Sequence, residues 1–201
     1  MSSSKQIRWT GLAAVVAGGM FLCSDLLDLA ASSDGFGPKN LGEASSPALS
    51  AIQSGLTLLA GLLLLVGLAG LYFRQLDEGG LLSMLGFLLA FCGTVMAVGV
   101  FWADTFVAPS LAREELRLLG AAPPRALAAG FTLSYGSVAL GWILFGLATL
   151  RTGIYPRAAS MLLMVGAAIT WLPLPLSGVL FSVSVAWMGY ALFSGKDAPS
   201  E

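Results

Sequence analysis

Apolar residues run along this chain in blocks of twenty or so, broken by short clusters of charge, glycine and proline. A helix rises about 1.5 Å per residue, so roughly 20 apolar residues cross the ~30 Å hydrocarbon core of a bilayer. Read by length between charges, the pattern predicts six transmembrane helices, over about 9–30, 49–73, 81–106, 127–150, 157–174 and 176–194. The last two are divided only by "LPLPLSG" (172–178), where Pro173 and Pro175 remove backbone donors and turn the preceding residues away from helix. A tight hairpin fits that stretch better than one overlong helix. The expected fold is an all-α integral membrane protein, a six-helix transmembrane bundle over 9–194, flanked by short tails at 1–8 and 195–201.

Composition agrees with the pattern. The 201 residues are 57% hydrophobic and 10% charged, with mean hydropathy +0.85, against about a quarter charged in a soluble domain. The net charge of -1 and the lack of a basic tail leave no electrostatic footprint for nucleic acid. The lipid bilayer is the expected partner, and a membrane-protein partner or a second copy of the chain stays open.

Orientation follows from the cytoplasmic bias of Lys and Arg in short flanks. With the N-terminus inside, Lys5, Arg8, Arg74, Arg151, Arg157 and Lys196 are cytoplasmic, against Lys39, Arg113, Arg117 and Arg125 outside. Both termini are therefore expected in the cytoplasm and the protein in the plasma (inner) membrane. Lys5 and Arg8 ahead of an apolar run, with "LAASS" (29–33) behind it, also resemble a secretory signal, but Asp25 and Asp28 before that site argue against cleavage.

The chain has no histidine, which removes haem ligation between helices, His-based zinc hydrolysis and His general bases. Cys23 and Cys92 form no C-x-x-C, sit at different predicted depths and read as two unpaired thiols. No G-x-G-D signature of intramembrane aspartyl proteolysis surrounds Asp25, Asp28 or Asp104. The expectation is a protein that is not an enzyme and carries no cofactor or metal.

The acids still stand out. Counted by helical rise from Trp9, Asp28 falls at the outer rim and Asp25 about one turn below it, where a carboxylate is cheap to hold; Asp104 reaches a similar level in the third helix. In one reading these acids end helices and meet water. In the other, Asp25, Asp28, Gln53, Asp104, Tyr135 and Thr170 line an outward polar vestibule, joined by Ser54, Thr57, Thr132 and Ser134. No basic residue in the predicted spans neutralises the acids, so a cation or a proton would have to. The opposing reading of the hydroxyls is that they bond their own helix or a neighbouring one.

A weak internal repeat bears on the same acids. Aligning residue n with n+79 sets Asp25 on Asp104 and "GLAGL" (67–71) on "GLATL" (146–150), as expected of repeated helical hairpins, with a third, acid-free unit at the C-terminal end. Small residues one turn apart, in Ala14-x-x-x-Gly18, Ser50-x-x-x-Ser54 and Ser137-x-x-x-Gly141, predict close helix contacts, more readily within one bundle than between copies. Trp9, Trp102, Tyr155 and Trp171 are placed as interfacial aromatics. Of the external loops, 31–48 reads as irregular, and 111–119 as a short amphipathic helix capped by Ser110.

Two functions fit. Short loops, few intramembrane charges and no recognisable site favour a non-catalytic accessory, assembly or structural component of a membrane complex. The acidic outer layer favours a small-solute or cation/proton translocator instead.

Overall fold

A computed structural model describes residues 3–31, 47–107, 109, 125–169 and 177–195. Among these residues the regular elements are all helices: α1 (Ser3–Ala31), α2 (Pro47–Arg74), α3 (Gly80–Trp102), α4 (Arg125–Thr152), α5 (Arg157–Ile169) and α6 (Ser177–Ser194). Four stretches are long and apolar enough to cross a membrane, Ile7–Leu27, Leu49–Arg74, Gly80–Val107 and Ala128–Thr152. Residues 157–169 and 178–194 form shorter apolar helices. The predicted loops 31–48 and 111–119 fall almost wholly outside the described residues.

Glycine sets the ends of several helices. Gly80 (φ 56°) turns α2 into α3, and Gly153 (φ 68°) and Gly195 (φ 62°) terminate α4 and α6 in the left-handed conformation that a Cβ disfavours. α3 ends differently. Its last turn widens into a π-helix over Ala103–Val107, and Pro109, a residue type that supplies no N–H and crowds the carbonyl four residues back, comes two positions later. Thr105 returns its hydroxyl to Phe101 O at 2.7 Å within that turn.

The six helices form a closed ring in chain order, each packed on its two neighbours, with α6 returning to α1. The α1–α6 seam runs antiparallel over the whole of α6. Arg8 Nε donates to Phe193 O at 3.0 Å, Gly11 and Gly189 meet backbone to backbone, Gly18 lies on Ser182, and Gly178 lies on the Asp25 carboxylate. α3 and α4 meet as closely, with Gly86 against the Phe145 backbone, Gly141 against Ala90 and Gly93 against Val138. The Ala14/Gly18 and Ser137/Gly141 pairs thus serve contacts inside the bundle. α2 sits on α1 through Gly67 on Ala14 and Gly70 on Thr10, but it meets α3 through side chains, with Tyr72 stacked on Phe87 at 4.2 Å.

The half of the ring nearest Arg8 is a packed core. Leu68, Leu71, Trp142, Phe145, Leu163, Val185 and Met188 are fully buried there or at mid-height. Apolar side chains such as Leu59, Leu62, Val66, Leu85 and Leu88 face outward. Trp9 and Trp102 are exposed near helix ends, as expected of interfacial aromatics, but Tyr155 is buried at 2% exposure. Its hydroxyl donates to Leu71 O at 3.2 Å, capping a carbonyl near the α2 terminus, where helical acceptors run out of intrahelical donors. Trp171 lies outside the described residues.

Candidate functional site

A cavity of about 360 Å³ occupies the Asp25 half of the ring, within the size range of small-molecule sites. Five of the six helices build it, and α5 takes no part. Its upper wall carries Asp25 from α1, Gln53 from α2, Tyr135 from α4 and Gly178 from α6. These side chains converge because α1 rises toward Asp25 while α2 and α4 descend from Gln53 and Tyr135, so the antiparallel order brings them to one level. Asp25 also faces the first turn of α6 at Gly178, where the unpaired N–H groups of a helix start act as a partial positive charge of about half a unit.

Lower down, hydroxyls and rings alternate. Ser24 Oγ and Thr57 Oγ1 are 2.9 Å apart and tie α1 to α2. Thr57 donates to Gln53 O at 3.0 Å, so its own proton is committed and Ser24 is the donor between the two. Ser182 donates to Gly178 O at 2.9 Å, and Thr94 to Ala90 O at 2.7 Å. Thr94 in turn accepts from Trp142 Nε1 at 3.3 Å. Each of these four hydroxyls spends its proton on protein and presents lone pairs to the space. Phe21, Phe101 and Phe181 fill the rest of the wall, with Phe21 and Phe101 edge to face at 6.2 Å and Phe181 edge-on to Trp142 at 5.2 Å. Leu64 and Val138 border the cavity toward mid-height.

Three of the six residues singled out in the sequence, Asp25, Gln53 and Tyr135, are therefore side by side on this wall. Asp104 is not on it. It lies exposed in the π-turn, near enough for its charge to bear on the Tyr135 hydroxyl. Asp28 is in the last turn of α1, with its side chain outside the described set, and Thr170 lies outside the described residues. Of the other hydroxyls, Thr57 lines the cavity, whereas Ser54 and Thr132 bond their own helices, to Ser50 O at 2.9 Å and Ala128 O at 2.9 Å. Ser134 likewise returns to Gly130 O at 2.8 Å.

Sequence reasoning missed the three phenylalanines, Ser24, Thr94 and Ser182. A phenylalanine in an apolar helix carries no signal of which way it faces. Ser24 and Asp25 are adjacent, however, and a polar pair inside an apolar run was a readable hint. Among the described residues no group of three or more His, Cys, Asp or Glu gathers as a metal site, and Cys23 and Cys92 are free and exposed.

The fold and this cavity describe a helical protein whose long apolar helices are compatible with a membrane location. No protein-family model, curated protein or solved structure matches the chain, so the functional reading rests on the site.

Proposed function

We propose that the chain is a six-span protein of the plasma membrane, with both termini cytoplasmic, that admits a small solute from the external side into the cavity below Asp25, Gln53 and Tyr135. The observation that carries this reading is a space of about 360 Å³ lined by five helices, in a bundle whose other half buries Leu68, Leu71, Phe145 and Met188 completely. A purely structural bundle has no use for a void of that size, because every unfilled volume costs contact energy. Six crossings are supported by the course of α6, which accompanies α1 from Phe193 beside Arg8 to Gly178 beside Asp25, and so covers the same depth as a helix long enough to cross.

The test is access to water. With Cys23 and Cys92 replaced by alanine, Thr57→Cys should react with a membrane-impermeant thiol reagent applied from one side only. Leu68→Cys, in the packed half, should stay unreactive from both. A Thr57→Cys that no reagent reaches from either side would refute the open cavity.

A second reading keeps one observation in its favour. Leu68, Leu71, Trp142, Phe145 and Met188 close the Arg8 half without exposure, which suits an accessory component better than a conduit. A stoichiometric second polypeptide in native mass spectrometry of the gently extracted protein, together with an unreactive Thr57→Cys, would favour it.

A further inference from the structure

We infer that the solute is a small organic cation, an alkylated ammonium held by the Asp25 carboxylate and by the rings of Phe21, Phe101, Tyr135 and Phe181. The inference rests on the solute-binding reading above and adds the ligand's chemistry.

Three features of the wall select that class. The first is charge: among the described residues the lining carries one carboxylate and no Lys or Arg, so an anion would meet repulsion from Asp25. The second is hydrogen-bond polarity. Ser24, Thr57, Thr94 and Ser182 have all placed their protons on protein acceptors, so they offer oxygen lone pairs to a ligand and no donors. A carboxylate or phosphate ligand would find no donor among these four hydroxyls, whereas a positive group finds acceptors on four helices, α1, α2, α3 and α6. The third is the set of aromatic faces. Rings from α1, α3, α4 and α6 reach one space, and the electron-rich face of a ring attracts a cation within about 6 Å.

The same features argue against an inorganic ion. A bare sodium or calcium ion asks for a shell of six or more oxygens, and a cavity of about 360 Å³ with four aromatic rings leaves most of such a shell unfilled. An ammonium bearing methyl or larger groups uses the rings and the volume as well as the acid.

The experiment titrates the full chain, reconstituted in lipid nanodiscs, with choline and with its uncharged carbon isostere 3,3-dimethyl-1-butanol, followed by calorimetry. The two ligands share shape and differ in charge. Choline should bind at least tenfold more tightly, Asp25→Asn should lower its affinity by tenfold or more, and Phe101→Leu should lower choline affinity more than that of the isostere. Asp77→Asn, in the α2–α3 turn at the other end of the bundle, should leave it unchanged. Equal affinities for the two ligands, or no binding of either, would overturn the cation assignment. If Asp25→Asn does not assemble, the choline-to-isostere ratio on the unaltered protein decides alone. Failure here with a reactive Thr57→Cys leaves the open cavity standing with another ligand class; an unreactive Thr57→Cys removes both.

Discussion

Gln75, one residue past the end of α2, is completely buried, and neither its amide oxygen nor its nitrogen has a hydrogen-bond partner in the protein. Its backbone is fully used, with Gln75 N on Tyr72 O at 3.0 Å and Gly79 N on Gln75 O at 2.8 Å, so the turn does not depend on the side chain. An amide taken from water without a replacement bond costs roughly 1–3 kcal/mol on the scale of protein substitutions. Gln75→Met keeps the length and removes the polar group, and should stabilise the protein by about that amount. For a chain of 150–250 residues each kcal/mol moves the midpoint by about 2–4 °C, so a rise of roughly 2–12 °C is expected. The assay is thermal unfolding in a mild detergent, followed by tryptophan fluorescence at one fixed scan rate, because unfolding of such proteins is often irreversible. Ser83→Ala, which removes the neighbouring buried hydroxyl that also lacks a partner, should act in the same direction by a smaller amount. Gln53→Met is the control, since Gln53 is engaged at the cavity and should gain nothing. A lower midpoint for Gln75→Met would refute the reasoning and mean that the amide is hydrogen-bonded in the working protein.

Gly141→Leu places a side chain against the Ala90 backbone, and overpacking of this kind costs about 1–3 kcal/mol or more; the folded yield in size-exclusion chromatography should fall, while Gly130→Leu, with open space around it, should be tolerated. Tyr155→Phe should lower the midpoint by an amount corresponding to about 0.5–1.5 kcal/mol, read by the same fluorescence melt, through loss of the bond to Leu71 O. Burial raises the Tyr155 hydroxyl above its ordinary range, and nearby Arg74 opposes this only in part. The unfolded chain therefore releases that proton first, so this contribution is complete below about pH 10 and declines as the pH rises beyond it; melts of the protein and of Tyr155→Phe should converge at high pH. Asp104→Asn should lower choline affinity by a smaller factor than Asp25→Asn, because Asp104 stands outside the cavity lining; equal losses would put both acids at one site.

How far the sequence could be read follows from what a membrane helix writes into it. Apolar length between charges locates the four long helices α1 through α4; α5 and α6 are separate helices, and the expected hairpin at "LPLPLSG" falls mostly outside the described residues. Asp25, Gln53 and Tyr135 are legible because polar groups are rare in such helices and antiparallel order aligns them. The rotation of each helix is not legible. In a soluble protein an apolar stripe marks the buried face, but here both the core and the outward surface are apolar, so nothing separates inward Phe21, Phe101 and Phe181 from outward Leu59 or Leu88. Tyr155 fails for a related reason: position near a helix end suggests an interfacial ring, and only the fold reveals that the α4–α5 turn tucks it beneath α2.

The placing of the cavity follows from the uneven spacing of the helices. Backbone contact at Gly11, Gly18 and Gly189 draws α6 onto α1, and Gly86, Gly93 and Gly141 draw α4 onto α3. Where lipid offers no hydrophobic drive, such close approach supplies the packing energy, so these two pairs form the tight units of the ring. Only the α3–α4 unit coincides with a hairpin that the 79-residue offset groups together; α1 instead has its long antiparallel seam with α6, at the far end of the chain. Between the two units the contacts are made by side chains: Gly61 opens toward Val98 and Phe101, Phe21 meets Phe101, and Trp142 meets Phe181. Rings hold helices further apart than glycines do. Toward Arg8 the gap is filled by Leu64, Leu68, Trp142 and Met188, and toward Asp25 it is left to hydroxyls, one acid and the faces of four rings. The same division explains why Asp25 and Asp104 differ despite their matching positions under the offset: Asp25 sits where α1 meets α6 and faces the gap between the pairs, whereas Asp104 leaves α3 on a π-turn that carries it out of the lining.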